Sequence, residues 1–111
     1  MMISFAWTTD DFLAGRKTAT RRFWTDEYAE KWWRNVQKRN NIADAYDKNP
    51  RFGGKKIGEI RVRQKPFRQP LGEMTGQDLK EEGTLWKSIE EFVEMMGGPD
   101  KIPFVIKFDK I

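Results

Sequence analysis

The chain lacks two residue types that dominate enzyme active sites, because its 111 residues include no cysteine and no histidine. It therefore cannot use a Ser-His-Asp or Cys-His mechanism, and it cannot build a zinc site from thiolate or imidazole ligands. Without cysteine there is also no disulfide bond. Any catalytic chemistry must come from lysine, threonine, serine, tyrosine, arginine or the carboxylates.

Long hydrophobic runs are also absent. No apolar stretch approaches the roughly 20 residues that a transmembrane helix needs, and the N-terminus has no targeting pattern. We therefore expect a cytoplasmic protein that does not act on membranes. The length fits a single domain over residues 1–111, and 38% hydrophobic content with many aromatic residues suffices for a modest core.

Charge is unevenly distributed along the chain, which carries a net charge of +4. Residues 51–70 contain seven cationic side chains and one acidic one, whereas residues 71–96 contain seven acidic side chains and two lysines. A basic region beside an acidic one can mark a binding site for an anionic partner. Two solvated surfaces that balance each other explain the pattern equally well.

Alternating hydrophobic residues predict strands near both ends of the chain and in its middle. The predicted strands are Ile3–Trp7, 17–23, Ile57–Lys65 and Phe104–Phe108, with a short extended piece around Phe67. Capping residues and helical spacing predict the helices. The first is a short helix after Thr8 or Thr9, with Phe12 and Leu13 facing inward and Gly15 at its end. The other three are predicted over 26–38, from Thr75 to Glu82, and from Thr84 to Gly97. This order predicts an α+β fold around a small, mostly antiparallel sheet or barrel.

Lys17 and Thr20 form the first candidate catalytic pair. A threonine hydroxyl is a poor nucleophile until a neighbouring group takes its proton, and a lysine with a lowered pKa can do so. Arg16, Arg21 and Arg22 can supply the positive charge that lowers it. A regular strand would place Lys17 and Thr20 on opposite faces, so the pair requires a bend near Gly15. Otherwise the segment is an ordinary hairpin edge with an exposed lysine.

Glu82 is a second candidate, at the end of a predicted short helix and directly before Gly83. A carboxylate there can act as a general acid or base on a bound amide. The alternative is ordinary solvated helix surface, of which the neighbouring Glu81 is an example.

A basic strand offers a candidate binding surface of a different kind. Arg61, Arg63 and Lys65 precede Phe67, and cations that alternate with an aromatic ring can contact phosphates while the ring stacks on a base. An exposed strand face that arginine keeps in solution has the same pattern.

Tryptophan is concentrated around the second predicted helix. Adjacent Trp32 and Trp33 cannot face the same direction on a helix, so we expect one in the core. The other, or Trp24, can lie at the rim of a pocket or at an interface.

The segment Gly15-Arg16-Lys17-Thr18-Ala19-Thr20-Arg21-Arg22 resembles the G-x-K-T-x-T-x-R signature of the ASCH domain family. Further parts of the chain resemble that family in the same order. These are Ile3-Ser4-Phe5, Gly58-Glu59-Ile60-Arg61-Val62, Leu79-Lys80-Glu81-Glu82-Gly83 and Phe104-Val105-Ile106-Lys107-Phe108. The resemblance implies a PUA-like β-barrel with covering helices.

Two functions follow from this resemblance. Some small ASCH proteins are amidohydrolases that remove acyl groups from the exocyclic amine of cytidine, with a threonine nucleophile, an activating lysine and a glutamate acid or base. The motif assigns these roles to Thr20, Lys17 and Glu82, or to Glu81 if the alignment shifts by one residue. The reaction needs no metal or organic cofactor. The alternative is a single-stranded RNA-binding module, with or without ribonuclease activity.

Substrate-binding residues are also expected. We assign Arg22, Trp24, Arg61, Arg63 and Trp33 to substrate binding. Arg22 is expected to orient Lys17 or Glu82, because a guanidinium can hold a carboxylate with two hydrogen bonds.

Residues 25–52 depart from the smallest family members and are predicted to be a helical insertion. Its tryptophans suggest a hypothesis about specificity. Trp24, Trp32 or Trp33 would extend the wall of the pocket and admit a bulkier aromatic acyl group.

Overall fold

Four helices and a curled mixed sheet that forms half of a barrel make up the α+β fold of residues 1–111, as described by a computed structural model. The strands are β1 (Met2–Ser4), β2 (Ala19–Arg22), β3 (Ile42–Tyr46), β4 (Lys56–Val62), β5 (Phe67–Arg68) and β6 (Phe104–Lys110). The helices are α1 (Thr9–Leu13), α2 (Asp26–Gln37), α3 (Gly76–Glu82) and α4 (Ile89–Met95), and three short 3-10 turns lie between them.

The sheet has the strand order β1-β3-β4-β6-β2, and β5 pairs with β6 beside this path. The β1–β3 pair is parallel, and every other pair is antiparallel. The last strand of the chain therefore lies between β4 and β2. This topology places β2, which carries the Lys17–Arg22 motif at its start, at one edge of the curled sheet.

The core lies inside the curl of the sheet. Alternate residues of β4 and β6, such as Ile60 and Phe108, are fully buried, as the alternating pattern predicted. Helix α2 begins at the predicted position, where the Thr25 side chain accepts a hydrogen bond from the Tyr28 amide. Trp32 is the buried member of the tryptophan pair, and its indole N–H donates to the Met2 carbonyl.

The predicted first strand is too long at its C-terminal end. β1 stops at Ser4, and residues 6–8 form a 3-10 turn in which the Thr8 hydroxyl and amide both donate to the Phe5 carbonyl. Trp7 consequently leaves the sheet and is 79% exposed. Leu13, predicted to face inward, is also exposed, because α1 turns Asp11 and Phe12 inward and successive helical residues point about 100° apart.

The predicted helical insertion over 25–52 is only partly helical. Its second half contains β3, which pairs with both β1 and β4 and so lies within the sheet. Ala43 and Ala45 point into the core from this strand. Small alanines alternating with polar residues gave too weak a hydrophobic pattern to distinguish this strand from a loop.

Thr84 does not cap the last helix, which begins four residues later than predicted. Ser88 caps α4 by accepting from the Glu91 amide, and Leu85 is exposed. The Thr84 amide and hydroxyl instead donate to the Asp11 carboxylate. The sequence pattern alone could not show this competing contact, 73 residues away along the chain. None of the helices combines the length and apolar character that crossing a bilayer requires.

Candidate active site

Lys17 and Glu82 meet in the interior of the protein, although 65 positions separate them along the chain. The Lys17 Nζ atom lies 2.8 Å from the main-chain carbonyl oxygen of Glu82 and 3.1 Å from its Oε1 atom. Both residues are only 2% exposed. A buried ion pair costs desolvation free energy, and titratable groups paired in this way occur at active sites as well as in structural networks.

A bend before β2 brings Lys17 to the same side as Thr20. Gly15 has a φ of +77°, and the amides of Arg16 and Lys17 both donate to the Asp11 carbonyl. The regular strand begins only at Ala19. The alternation of a strand therefore does not govern Lys17, and both Lys17 and Thr20 line one cavity. The bend that the candidate pair requires is present at the predicted glycine.

Glu82 is held inward at the end of α3. The helix starts with a capping box, in which the Thr75 hydroxyl accepts from the Asp78 amide and the Asp78 carboxylate accepts from the Thr75 amide. It ends at Gly83, which has a φ of +129°. A Cβ at Gly83 would lie 2.6 Å from the Asp11 Oδ2 atom, so this close approach and this φ both require glycine.

Arg21 is a buried partner of Glu82 that we had not assigned to the site. Its NH1 atom lies 2.6 Å from the Glu82 Oε2 atom, and its NH2 atom lies 2.6 Å from the Gln69 Oε1 atom. We expected Arg22 to orient Lys17 or Glu82. For Glu82 this prediction is wrong, because Arg21 holds the Glu82 carboxylate. The sequence does not indicate which of the two adjacent arginines faces α3.

Arg22 contacts Thr20 instead. Its Nε–H donates to the Thr20 Oγ1 atom across 3.2 Å, and its NH2 group donates to the Ser4 carbonyl. Because the guanidinium has no acceptor, the hydroxyl proton of Thr20 must point elsewhere. The arrangement leaves that proton free for transfer to a base.

The pKa of Lys17 is lowered below its ordinary value of 10.5. Burial is the largest cause, the charge and hydrogen bond of Glu82 oppose it, and the nearby positive charge of Arg22 adds to the lowering. Burial also lowers the pKa of Arg22, which nevertheless remains a cation. A lysine with a lowered pKa is easier to deprotonate, which is what a general base requires.

The cavity at this site has a volume of about 230 Å³, and its lining combines two chemically different sets of residues. The polar set, from the motif and the end of α3, is Lys17, Thr20, Arg21, Arg22 and Glu82. The apolar set, called the apolar end below, comes from the 3-10 turn over 6–8 and from residues 86–96, and it includes Trp7, Trp86, Phe92, Met95 and Met96. The indole of Trp86 packs edge-on against the Phe92 ring, with centroids 4.6 Å apart.

A second cavity of about 180 Å³ adjoins the first, because Ser4 and Arg22 line both. Trp24, Tyr28 and Asn49 contribute to its wall. Trp24 thus shares a cavity with Arg22, and its ring lies edge-on to Tyr28 with centroids 5.0 Å apart.

Three other predicted binding residues lie outside both cavities. Trp33 packs on the outside of the core, Arg61 is exposed on β4, and Arg63 is exposed directly after β4 ends at Val62. Arg63 is paired with Asp109 at 2.6 Å, and Lys65 is paired with Glu30 at 2.8 Å. Two of the three cations on the basic strand therefore already have acidic partners.

Glu81, the alternative to Glu82, faces away from the cavity and pairs with Lys107. The Thr18 amide donates to the Glu81 carbonyl across 2.8 Å, which ties the motif to α3.

The largest cavity, about 530 Å³, lies elsewhere, between α4 and residues 97–99. No lysine, threonine or arginine lines it. No protein-family model, curated protein or solved structure matches the chain. The site must therefore be interpreted from its own geometry.

Proposed function

We propose that this protein hydrolyses the amide of an N-acylated cytosine nucleoside, with Thr20 as nucleophile, Lys17 as base and Glu82 as acid or base. The observation that carries the proposal is the convergence of these three side chains on one cavity. A binding module has no need for a buried lysine beside a buried hydroxyl and a buried carboxylate.

The first step forms an acyl-enzyme. Neutral Lys17 takes the proton of the Thr20 hydroxyl as Oγ1 attacks the acyl carbonyl carbon. The tetrahedral intermediate then breaks its C–N bond, and the exocyclic nitrogen of cytosine leaves with a proton. Glu82, whose Oε1 atom is 3.1 Å from the Lys17 Nζ atom, relays that proton from Lys17 to the departing amine.

The second step releases the acyl group. Water attacks the ester on Thr20 and gives a proton to Lys17, and the Thr20 oxygen leaves with a proton as the carboxylic acid forms. Lys17 also stabilises the oxyanion electrostatically in both steps.

The two arginines have different roles in this scheme. Arg21 and Gln69 form a support that fixes the Glu82 carboxylate toward Lys17. Arg22 donates to the Thr20 oxygen, stabilises negative charge on it, and lowers the pKa of Lys17.

We also propose that the curled sheet is the PUA-like barrel of an ASCH domain. The motif before β2, the acid at the end of α3 and the closing strand β6 occur in the order that this family has. The half-barrel with its helices supports the proposal at the level of architecture.

Single-stranded RNA binding is the competing function. It is less well supported, because Arg63 and Lys65 of the basic strand already pair with Asp109 and Glu30. The strand also lies away from the cavity that contains Lys17 and Thr20.

The test is to incubate the purified protein with N-acetylcytidine and N-benzoylcytidine and to follow the release of cytidine. We expect release by the parent protein and loss in Lys17→Ala. Phe52→Ala, an exposed substitution outside both cavities, is the matched control and should retain the parent rate. No release by the parent from either substrate would contradict the proposal.

A further inference from the structure

The apolar end of the active-site cavity has no role in the chemistry proposed above. Trp7, Trp86 and Met95 contribute to it, yet none of them donates or accepts a proton in the scheme. Trp7 is 79% exposed and Met95 is 44% exposed. Large apolar side chains that stay in contact with water beside a reactive group typically mark the place where a ligand binds.

The apolar end of the first cavity and the adjoining second cavity differ in what they can recognise. The side that adjoins Trp24 offers polar groups from Arg22, Asn49 and Tyr28. A pyrimidine base and a sugar carry several donors and acceptors, so they need such partners. The apolar end offers few polar groups besides the two indole N–H donors, and it suits a group without hydrogen-bonding needs.

Thr20 must attack a carbonyl carbon that joins these two parts of the substrate. Thr20 lines the first cavity, and Arg22, which contacts its hydroxyl, lines both. A substrate whose amide lies at Thr20 therefore extends its nucleoside toward Trp24 and its acyl group toward Trp7 and Trp86.

We propose that the end of the cavity formed by Trp7, Trp86 and Met95 binds the acyl group, and that it selects bulky apolar acyl groups such as benzoyl over acetyl. This inference rests on the proposed amidohydrolase function. It replaces the expectation that Trp32 or Trp33 forms this wall, because Trp32 is buried in the core and Trp33 lies outside the cavity.

The physical reason for the selection is the contact area. An acetyl group offers one methyl group, whereas a benzoyl ring can stack on an indole and contact a methionine that adapts its shape. In an apolar pocket even one methylene changes kcat/KM by roughly tenfold, so a phenyl ring should give a preference at least that large.

The experiment measures kcat/KM on N-acetyl-, N-butyryl- and N-benzoylcytidine for the parent, Trp7→Ala and Phe52→Ala. Trp7 and Phe52 are matched, because they are 79% and 76% exposed and neither substitution disturbs the core. We expect Trp7→Ala to lower the ratio of benzoyl to acetyl activity roughly fivefold, mainly through KM. Phe52→Ala should leave the ratio unchanged, and Met95→Ala should lower it as Trp7→Ala does.

Equilibrium binding to Thr20→Val, which lacks the nucleophile, separates the two proposals. The proposed acyl site is overturned if the parent hydrolyses the substrates without preferring benzoyl, or if Trp7→Ala leaves the ratio of benzoyl to acetyl activity unchanged. Either result still supports the proposed hydrolase function. Tighter binding of N-benzoylcytidine that depends on Trp7, without hydrolysis by the parent, overturns the hydrolase and supports the acyl site. Neither binding nor hydrolysis overturns both.

Discussion

Lys17 donates to Glu82 twice, once to the main-chain carbonyl oxygen at 2.8 Å and once to the Oε1 atom at 3.1 Å. The first contact fixes the position of the lysine on the end of α3, and the second couples its charge to a carboxylate. A lysine anchored in this way has little freedom to rotate away from the end of α3, and it lines the same cavity as Thr20. The relationship links the beginning of β2 to the end of α3 and defines the candidate active site.

Replacing Glu82 should affect both stability and activity. In Glu82→Gln the buried cations Lys17 and Arg21 lose the carboxylate between them, which should cost about 3–5 kcal/mol in the free energy of unfolding. The rate of cytidine release should fall at least 100-fold, because the acid or base is lost. Denaturant unfolding and kcat measure the two effects.

Glu81→Gln is the control for this change, since Glu81 is the adjacent residue and pairs with Lys107 outside the cavity. It should alter stability by less than about 1 kcal/mol and leave the rate within about twofold. Equal effects of the two substitutions would argue against a specific role for Glu82.

The activity should depend on pH through Lys17. Only neutral Lys17 can take the Thr20 proton, so kcat/KM should rise with pH up to the lowered pKa of Lys17 and then become constant. Arg22→Gln removes a positive charge that helps to lower this pKa, so the rise should move to higher pH. A pH–rate profile measures both, and an unchanged midpoint in Arg22→Gln would show that Lys17 is not the titrating base.

The same lowered pKa has a consequence for stability. Between the folded pKa of Lys17 and its ordinary value of 10.5, the unfolded chain binds the proton and the folded chain does not. The contribution of Lys17 to the free energy of unfolding therefore rises with pH across this range. In Lys17→Met this rise should be absent, which denaturant unfolding at several pH values measures.

Gly83→Ala should disturb the candidate active site, although Gly83 does not line its cavity. The new Cβ would lie 2.6 Å from the Asp11 Oδ2 atom, and the backbone φ of +129° is unfavourable for alanine. We expect a loss of about 2 kcal/mol or more in stability, together with lower activity as Glu82 shifts. Gly76→Ala at the other end of α3 is the control, because its Cβ would meet nothing within 4 Å and stability should not fall. Equal stabilities would contradict the close contact with Asp11.

Salt should distinguish the proposed hydrolase from an RNA-binding module. A neutral nucleoside displaces no phosphate counterions, so kcat/KM should change by less than about twofold between 50 and 200 mM salt. Titration of single-stranded RNA under the same conditions provides the comparison. Tight RNA binding that falls steeply with salt would favour the competing function.

The sequence predicted the elements with strong local signals and missed those that depend on distant contacts. Gly15, Thr75 and Gly83 end or begin helices as expected, because capping is a local property. The alanines of β3 carried too little hydrophobic contrast, and Thr84 looked like a helix cap although its partner is Asp11. The role of Arg21 also depended on Gln69, whose position follows only from the folded sheet.

The most direct test of the account compares Thr20→Ser with Thr20→Val in the release of cytidine from N-acylcytidines. Valine has nearly the shape of threonine and suits β2, but it lacks the hydroxyl, whereas serine keeps it. We expect measurable hydrolysis by Thr20→Ser and none by Thr20→Val, with both proteins folded by circular dichroism. Release of cytidine by Thr20→Val at a rate near that of the parent would show that the Thr20 hydroxyl is not the nucleophile.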